Sequence, residues 1–344
     1  MDSAHLPASL GRYQLLEPLG FGGMGVVLRA KDPELRREVA IKLVPDELRA
    51  NSDAMERLRR EAVVMARINH PNVVRVFDVG EQDGMYYYVM ELLLGKSLEK
   101  RPADTPFDPK EFLGIFTPLA DALDVVHRNG IVHRDIKPSN IFVGVPVRGA
   151  VLTDFGLTFA PDWERLTSSG IVVGTARYAA PEQMRGEPPN VLSDMFSLGA
   201  SMVEYASGKP PFADYHGPEL LAVRAEAVLP PLAKVAPAVP APIAQIIDRC
   251  VRFQSVERFP SAGELHRALL RAGAAYDLSG AIFARAPSPV APPPVPHALA
   301  KPVRRTTRAH SRAMTRAHWR LLALWLMLVA TLVGLVLGVW LRRT

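Results

Sequence analysis

The sequence is poor in cysteine, and its C-terminal part contains no acidic residue. The single cysteine, Cys250, excludes an intramolecular disulfide, fits a reducing compartment and is expected to be a small buried hydrophobic residue. From Ala286 onward there is no Asp or Glu, but nine of the 41 Lys and Arg residues lie there, so the rest of the chain has 32 basic against 35 acidic residues. Because the basic excess lies in a linker rather than on a folded face, no nucleic-acid partner is predicted.

The N-terminus does not resemble a signal peptide, because residues 1–13 have neither its basic segment nor its apolar segment. At the other end, residues 321–341 carry no charge, and 21 apolar residues are enough to cross a bilayer as a helix. Trp319 and Trp340 lie at the two ends of this run, as interface anchors do. Residues 286–302 contain seven prolines, which predicts an extended spacer without a core of its own.

The charge pattern around this apolar run predicts its orientation. Seven Lys or Arg residues between 301 and 320 precede the run and two follow it, which places the N-terminal side in the cytoplasm and favours contact with anionic lipid. We therefore expect a single-pass protein of the inner (plasma) membrane with essentially no extracellular domain, since only residues 342–344 follow the span. Small residues at spacings of four predict a homodimer face, with lipid-facing glycines as the alternative: Ala330, Gly334 and Gly338.

A glycine-rich segment between two strand-like runs is the first candidate binding element. It reads GFGGMGVV over residues 20–27, and backbone amides in such a hairpin can close over a triphosphate because no Cβ intervenes. The same glycine spacing also occurs in dinucleotide-binding turns and in plain hairpins, but a dinucleotide turn opens a helix, whereas here a strand and then VAIK follow. Lys42, at the end of VAIK, is placed to bind phosphate oxygens.

The stretch Asp53–Ile68 predicts a helix, because Met55, Leu58, Ala62, Met65 and Ile68 recur at spacings of three and four. Asp53 followed by Glu56 is a capping-box pattern. Glu61 lies within the apolar stripe, where a carboxylate needs a partner, and Lys42 is the candidate partner.

Two polar strings carry the predicted chemistry: HRDIKPSN over residues 133–140 and LTDFGL over residues 152–157. Asp135 is the candidate base for a substrate hydroxyl, and Lys137 can neutralise charge on a transferring phosphoryl group. Asn140 and Asp154 offer the oxygen ligands that Mg²⁺ prefers. His133 is interpreted as a packed structural residue.

These strings resemble the catalytic and metal loops of eukaryotic-type (Hanks-type) serine/threonine protein kinases, and most of all those of bacterial transmembrane members. The resemblance covers about Tyr13 to Leu270 and includes GTARYAAPEQ and ERFPSAGEL. It implies ATP and Mg²⁺, with Mn²⁺ as an alternative metal, and protein substrates with Ser or Thr. It implies an ATP site of Leu19, Gly20, Phe21, Gly22, Gly23, Met24, Gly25, Val27, Ala40, Lys42, Met90, Glu91, Leu93 and Phe142. The resemblance also implies structural roles for Thr175, for Asp194 below the catalytic loop, and for a pair formed by Glu182 and Arg258.

The predicted fold is therefore α+β: a two-lobed protein kinase fold, with a small β-rich N-lobe and a larger helical C-lobe, plus one C-terminal transmembrane helix. A flexible N-terminus at 1–12 precedes a kinase domain at 13–272, which divides into lobes 13–92 and 95–272. A proline-rich and then basic linker at 273–320 leads to the span at 321–341 and a short tail at 342–344.

The predicted function is that of a membrane-anchored serine/threonine kinase controlled by its activation segment. Arg134 could pair with a phosphate, and the resemblance places phosphorylation sites at Thr167, Ser168 and Ser169. Two departures from the family pattern are Thr158 after DFG and Pro118, which predicts that the helix over Glu111–His127 is kinked or begins late. A pseudokinase acting as a membrane-tethered scaffold is the alternative, and a tail-anchored adaptor would leave the catalytic residues unexplained.

Overall fold

The computed structural model describes residues 7–22, 25–44, 52–155, 176–226 and 228–276. Several predicted features lie outside these ranges: Gly23 and Met24, the segment that contains Thr158, Thr167, Ser168, Ser169 and Thr175, the linker from residue 277 onward, and the apolar run at 321–341. Within the described ranges, no helix is long and apolar enough to span a membrane.

The N-terminal lobe is a six-stranded antiparallel sheet in the order β1-β2-β3-β4-β6-β5. Alternation produces one buried face: Val26, Leu28 and Ala30 on β3 are buried while their neighbours are less so. The strands are β1 Ser9–Leu10, β2 Tyr13–Gly22, β3 Gly25–Asp32, β4 Arg37–Leu43, β5 Val76–Gln82 and β6 Met85–Glu91.

One helix, α1 at Ser52–Met65, accompanies this sheet. The predicted apolar stripe is buried, which confirms its period, although Ile68 lies beyond the end of the helix. The side chain of Asp53 lies outside the described part, so the capping box stays a prediction. Met55, Leu58 and Ala62 pack with Tyr88 of β6 in a small cluster, which fixes the face of α1 that meets the sheet.

The run Val73–Val79 is rich in valine, which favours a strand, but β5 begins only at Val76. Val73 and Val74 instead meet the C-terminal lobe: Val73 forms a parallel bridge with Leu152, and the Val74 amide donates to the Leu152 carbonyl at 3.0 Å. Their β-branched, apolar character suits a buried strand in either lobe, so residue type alone could not decide the partner.

The C-terminal lobe is mostly helical around a large apolar core, with a three-stranded sheet in the order β7-β8-β9 facing the first lobe. These strands are β7 Lys96–Ser97, β8 Ile141–Val145 and β9 Gly149–Leu152. The helices are α2 Pro109–Arg128, α3 Pro181–Met184, α4 Val191–Ser207, α5 Gly217–Glu226, α6 Leu232–Val235, α7 Ala241–Cys250 and α8 Ala262–Gly273, with 3₁₀ turns at Leu98–Lys100, Pro138–Asn140, Ser255–Glu257 and Ala274–Tyr276.

Helix α2 begins at Pro109 despite its internal proline, so the predicted late start is wrong. Asp108 caps it by accepting a hydrogen bond from the Lys110 amide, and Pro at the first position suits a helix start. Pro118 has no backbone N–H, so it cannot donate the helical hydrogen bond to the Gly114 carbonyl. Helix α8 packs nearby, where a ring nitrogen of His266 lies 3.0 Å from the Thr117 carbonyl oxygen.

Cys250 ends α7 and is fully buried, which confirms its prediction as a packed hydrophobic residue. Burial raises the pKa of its thiol to about 12, so the group stays protonated and unreactive at neutral pH.

Candidate active site

The candidate adenine pocket lies between the two lobes and contains residues from four strands. Val27 on β3 is paired with Lys42, and Ala40 on β4 is paired with Met90 on β6. Ala40 and Met90 are buried in the large core, and Val27 and Phe142 of β8 pack against it as half-buried residues. The predicted ring-binding residues therefore contact one apolar cluster between the N-terminal sheet and β8.

The described glycines of the glycine-rich segment lie at the end of β2 and the start of β3. Gly22 pairs with Gly25, and Gly25 has a φ of 110°, which favours glycine. Among the described residues, a Cβ added at Gly20 would meet nothing within 4 Å. Leu19 is half exposed beside it. The side chain of Phe21 lies outside the described part.

Lys42 is buried, and its ammonium nitrogen lies 3.0 Å from Oδ1 of Asp154. The sequence predicted Glu61 as its partner. In the structure the Glu61 carboxylate lies 2.8 Å from a guanidinium nitrogen of Arg134, in the catalytic loop. Strand and helix spacing place Lys42 and Glu61 toward the same cleft, but the position of α1 and the loop charges decide which opposite charges meet.

The catalytic loop surrounds Asp135, which is buried. Its Oδ2 atom accepts from the Asn140 side-chain amide at 2.8 Å and lies 3.0 Å from the Lys137 ammonium. Asn140 also donates to the Asp135 carbonyl at 2.8 Å, which closes a loop of six residues. Oδ1 of Asp135 is buried without a hydrogen-bond partner in the described part of the chain. One carboxylate oxygen is thus held, and the other is left to accept a proton.

Asn140 and Asp154 are brought together by the backbone, because the Thr153 amide donates to the Asn140 carbonyl at 3.0 Å. The Asn140 amide nitrogen is used by Asp135, which leaves its side-chain oxygen as a ligand. Oδ1 of Asp154 is buried without a hydrogen bond in the described part and is met only by the charge of Lys42. Two such oxygens fit Mg²⁺, which is commonly held by one or two side chains plus substrate phosphates. No cluster of three acidic, His or Cys ligands occurs in the described ranges.

Asp194 is buried and bonded to the start of the loop that contains Asp135. Its carboxylate accepts the amides of His133 at 2.7 Å and Arg134 at 2.9 Å. Nε2 of His127 lies 2.8 Å from the same carboxylate. Arg134 has a φ of 70°, and Asp154 a φ of 63°, conformations that non-glycine residues keep only where the surroundings fix them.

His133 is fully buried, and its Nε2 lies 2.9 Å from the Thr153 carbonyl oxygen. Its ring packs 4.5 Å from that of Phe155, between centroids. Burial lowers the pKa of His133, so the ring is neutral and donates to the carbonyl. This supports the interpretation of His133 as a packed structural residue.

The Glu182–Arg258 pair is also in place below the site. The two side chains form two charge-assisted hydrogen bonds of 2.7 and 2.8 Å, and both are buried. Ser193 donates to the same carboxylate at 2.8 Å. Burial alone would raise the pKa of Glu182, but the hydrogen bonds and charge of Arg258 lower it.

Two features of the site could not be read from the sequence. Among the histidines the sequence drew attention only to His133, yet Nε2 of His127 contacts the Asp194 carboxylate. The position of His127 six residues before His133 is the one sequence feature that pointed to this contact. Arg224 on α5 is fully buried, donates to the Ala176 carbonyl at 3.1 Å and lies over the rings of Phe196 and Phe212. Desolvation lowers the pKa of Arg224 to about 9.

These two lobes and the loops between them define a protein kinase domain. The chain belongs to the protein kinase domain family, whose model matches residues 13–268. It is 35% identical over 256 residues to the serine/threonine-protein kinase PrkC of Bacillus subtilis, in an alignment that covers 74% of this chain and 39% of PrkC. It is also 35% identical over 260 residues to PknD of Mycobacterium tuberculosis, covering 75% of this chain and 39% of PknD.

Among solved structures, the kinase domain of M. tuberculosis PknI matches with a TM-score of 0.63 and 26% identity, over 78% of this chain and 99% of that one. The resemblance to bacterial serine/threonine kinases and the two-lobed fold are thereby confirmed. The matched region spans about two fifths of the length of the curated relatives.

Proposed function

We propose that the chain is an ATP-dependent protein kinase that transfers the γ-phosphoryl group to Ser or Thr hydroxyls of proteins. The observation that carries the proposal is the state of Asp135, with one oxygen fixed by Asn140 and Lys137 and the other buried without a partner in the described part. Such a carboxylate can orient a substrate hydroxyl and accept its proton.

The neighbouring cations complete the proposed chemistry. Lys137 is close enough to Asp135 to neutralise charge on the transferring group. Lys42 faces the cleft at the end of β4, where its ammonium can bind α- and β-phosphate oxygens. The adenine ring is proposed to lie between Val27 and Ala40 above and Phe142 below, with the backbone of Glu91 and Leu93 binding its edge.

Asn140 and Asp154 would hold Mg²⁺, with Mn²⁺ as a substitute. By holding the metal, these two residues would place positive charge beside the phosphate groups of the nucleotide. The support is the chemistry of the two oxygens: one is freed because the amide nitrogen is used, and the other is buried and lacks a hydrogen bond in the described part.

Phosphate transfer from Mg-ATP to a Ser/Thr protein, measured for wild type beside Asp135→Asn, tests this function. We expect transfer by wild type and its loss in the variant, with ATP binding kept in both. Wild type that binds ATP without transferring phosphate would instead favour the pseudokinase scaffold. The joint presence of Lys42, Asp135, Asn140 and Asp154 in one cleft argues against that alternative.

We further propose control by autophosphorylation at Thr167, Ser168 or Ser169. The support is the pairing of Arg134 with Glu61, which occupies the two side chains that activation would redirect. A phosphate carries close to two negative charges and three strong acceptor oxygens, so it can compete with the singly charged Glu61 carboxylate for Arg134. It would draw Arg134 away and leave Glu61 to meet Lys42.

We also propose that the apolar run at 321–341 anchors the kinase lobes on the cytoplasmic side of the membrane. The supporting observations are its lack of charge and the basic residues before it. Pairing of two such helices through Ala330, Gly334 and Gly338 would promote phosphorylation in trans. Crosslinking of Gly334→Ile/Gly338→Ile tests this: yields equal to wild type at equal membrane density would exclude the dimer face.

A further inference from the structure

The last residue of β6, Glu91, is held through both its backbone and its side chain. Its amide donates to the Arg75 carbonyl at 3.0 Å, and its Oε1 accepts the Arg75 amide at 3.2 Å. The same Oε1 lies 2.9 Å from NH1 of Arg148, in the turn between β8 and β9 of the other lobe. Both side chains are less than one-fifth exposed, at 17% for Glu91 and 18% for Arg148, so solvent screens this contact only partly.

Arg148 is itself fixed to the first lobe by its backbone. Its carbonyl accepts a hydrogen bond from the Asn72 side chain at 3.0 Å, and the same amide donates to Ala150 at 2.6 Å. The guanidinium therefore extends from a turn that is already attached to the loop before β5. Because the backbone of Arg148 is held in this way, its ion pair with Glu91 is a defined contact rather than one of many surface arrangements.

A second contact joins the same hairpin to the other end of the interlobe connection. A Cβ at Gly95 would lie 2.7 Å from the Val143 carbonyl oxygen and 2.9 Å from a methyl of Val145, both on β8. Only glycine fits this approach. The connection over residues 91–95 is thus held at its start by Arg148 and at its end by close packing on β8.

We infer that Arg148 is a positioning residue for nucleotide binding: it fixes the segment whose backbone would bind the adenine edge. This inference rests on the proposed ATP site. In this role Arg148 acts through Glu91 rather than on the nucleotide itself. Because β8 also carries Phe142, one hairpin sets both the floor of the adenine pocket and the position of its edge.

The test compares Arg148→Met, which keeps the length of the side chain, with wild type and Arg148→Lys. Isothermal titration with Mg-ATP should show a dissociation constant raised roughly threefold or more in Arg148→Met, as contacts of this kind couple. The Arg148→Lys variant should recover part of the lost ATP affinity, since lysine keeps the positive charge but lacks the fork of donors of a guanidinium. KM for ATP should rise in parallel, while KM for a protein substrate and kcat change little.

Arg185→Met is the matched control, because Arg185 forms an exposed ion pair with Glu187 and should leave ATP affinity unchanged. In a Glu91→Met background, which removes the acceptor oxygen, the effect of Arg148→Met should shrink toward none, because the two residues act through one contact. An unchanged ATP dissociation constant in Arg148→Met would overturn the inference alone. Absence of ATP binding by wild type would overturn the proposed function and this inference with it.

Discussion

The guanidinium of Arg134 lies 2.8 Å from the carboxylate of Glu61, and this contact joins the catalytic loop to helix α1. The Glu61 carboxylate faces the cleft and is paired with Arg134, whereas the charge of Lys42 is neutralised by Asp154. If a phosphate on the activation segment competes for Arg134, removal of the arginine should uncouple activity from phosphorylation. We expect the activity ratio of phosphorylated to unphosphorylated Arg134→Met to approach one.

The measurement is initial phosphotransfer rate for both forms, prepared with and without phosphatase treatment. Arg128→Met is the matched control, since Arg128 pairs with Asp124 on an exposed part of α2 and should keep the full wild-type ratio. An Arg134→Met ratio equal to that of wild type would contradict the exchange.

Lys42→Met and Asp154→Ala should each lower kcat by about a hundredfold or more, because both side chains act on phosphate or metal charge in the proposed cleft. Thermal unfolding should show that both variants remain folded, and exposed Lys31→Met should keep wild-type turnover. Retention of more than about a tenth of wild-type activity by either variant would refute the assigned roles.

Much of this site followed from residue types at fixed spacing. Lys42 after an apolar strand, Asp135 with Lys137 and Asn140, and Asp154 in a second loop are local patterns, and the structure brings them into one cleft. The partner of Glu61 was less accessible to sequence reasoning. Several cations lie within reach of a residue on α1, and the choice depends on where the helix packs, which involves residues distant in sequence.

The same limit explains the differences in the fold. Val73 and Val74 read as the start of a strand in the first lobe, but their partner Leu152 lies in the second. The contact between Arg148 and Glu91 joins residues 57 positions apart without any motif. Local patterns predict elements, and long-range packing decides which of them meet.

The Glu182–Arg258 pair should give stability that depends on pH. The pKa of Glu182 is lowered, because the hydrogen bonds and charge of Arg258 outweigh the opposing effect of burial. A carboxyl whose pKa is lowered by folding adds stability above its unfolded value of 4.5, and that stability is lost as pH falls through the folded pKa. Glu182→Gln should therefore unfold more easily at neutral pH, by about 3–5 kcal/mol, since it leaves Arg258 buried without a counter-charge.

Urea unfolding at a series of pH values measures this difference, which should narrow below pH 4.5 as the wild-type carboxyl becomes protonated. Glu187→Gln, which alters an exposed pair, should stay within about 0.5 kcal/mol of wild type throughout. A Glu182→Gln deficit that does not change with pH would show that the ionised pair is not its source.

Phosphorylation of the activation segment is expected at one or more of Thr167, Ser168 and Ser169. Mass spectrometry of active recombinant protein should detect it, and a Thr167→Ala/Ser168→Ala/Ser169→Ala variant should lose most activity because no phosphate competes for Arg134. Thr105→Ala, far from this segment in sequence, serves as the control for hydroxyl removal. Full activity of the triple variant would argue against this mode of control.

Membrane attachment is expected to depend on residues 321–341 rather than on the basic linker before them. Each Lys or Arg near anionic lipid contributes about 1 kcal/mol, and salt screens this attraction, whereas burial of an apolar span is not weakened by salt. The full chain should therefore stay in the membrane fraction after a wash with 1 M salt, while a chain ending at Arg320 should be released. Protease added outside intact cells should leave the kinase lobes uncut, since the basic residues before the span orient them to the cytoplasm. Retention of the shortened chain after the salt wash would assign the anchor to another part of the protein, and cleavage of the lobes would reverse the proposed topology.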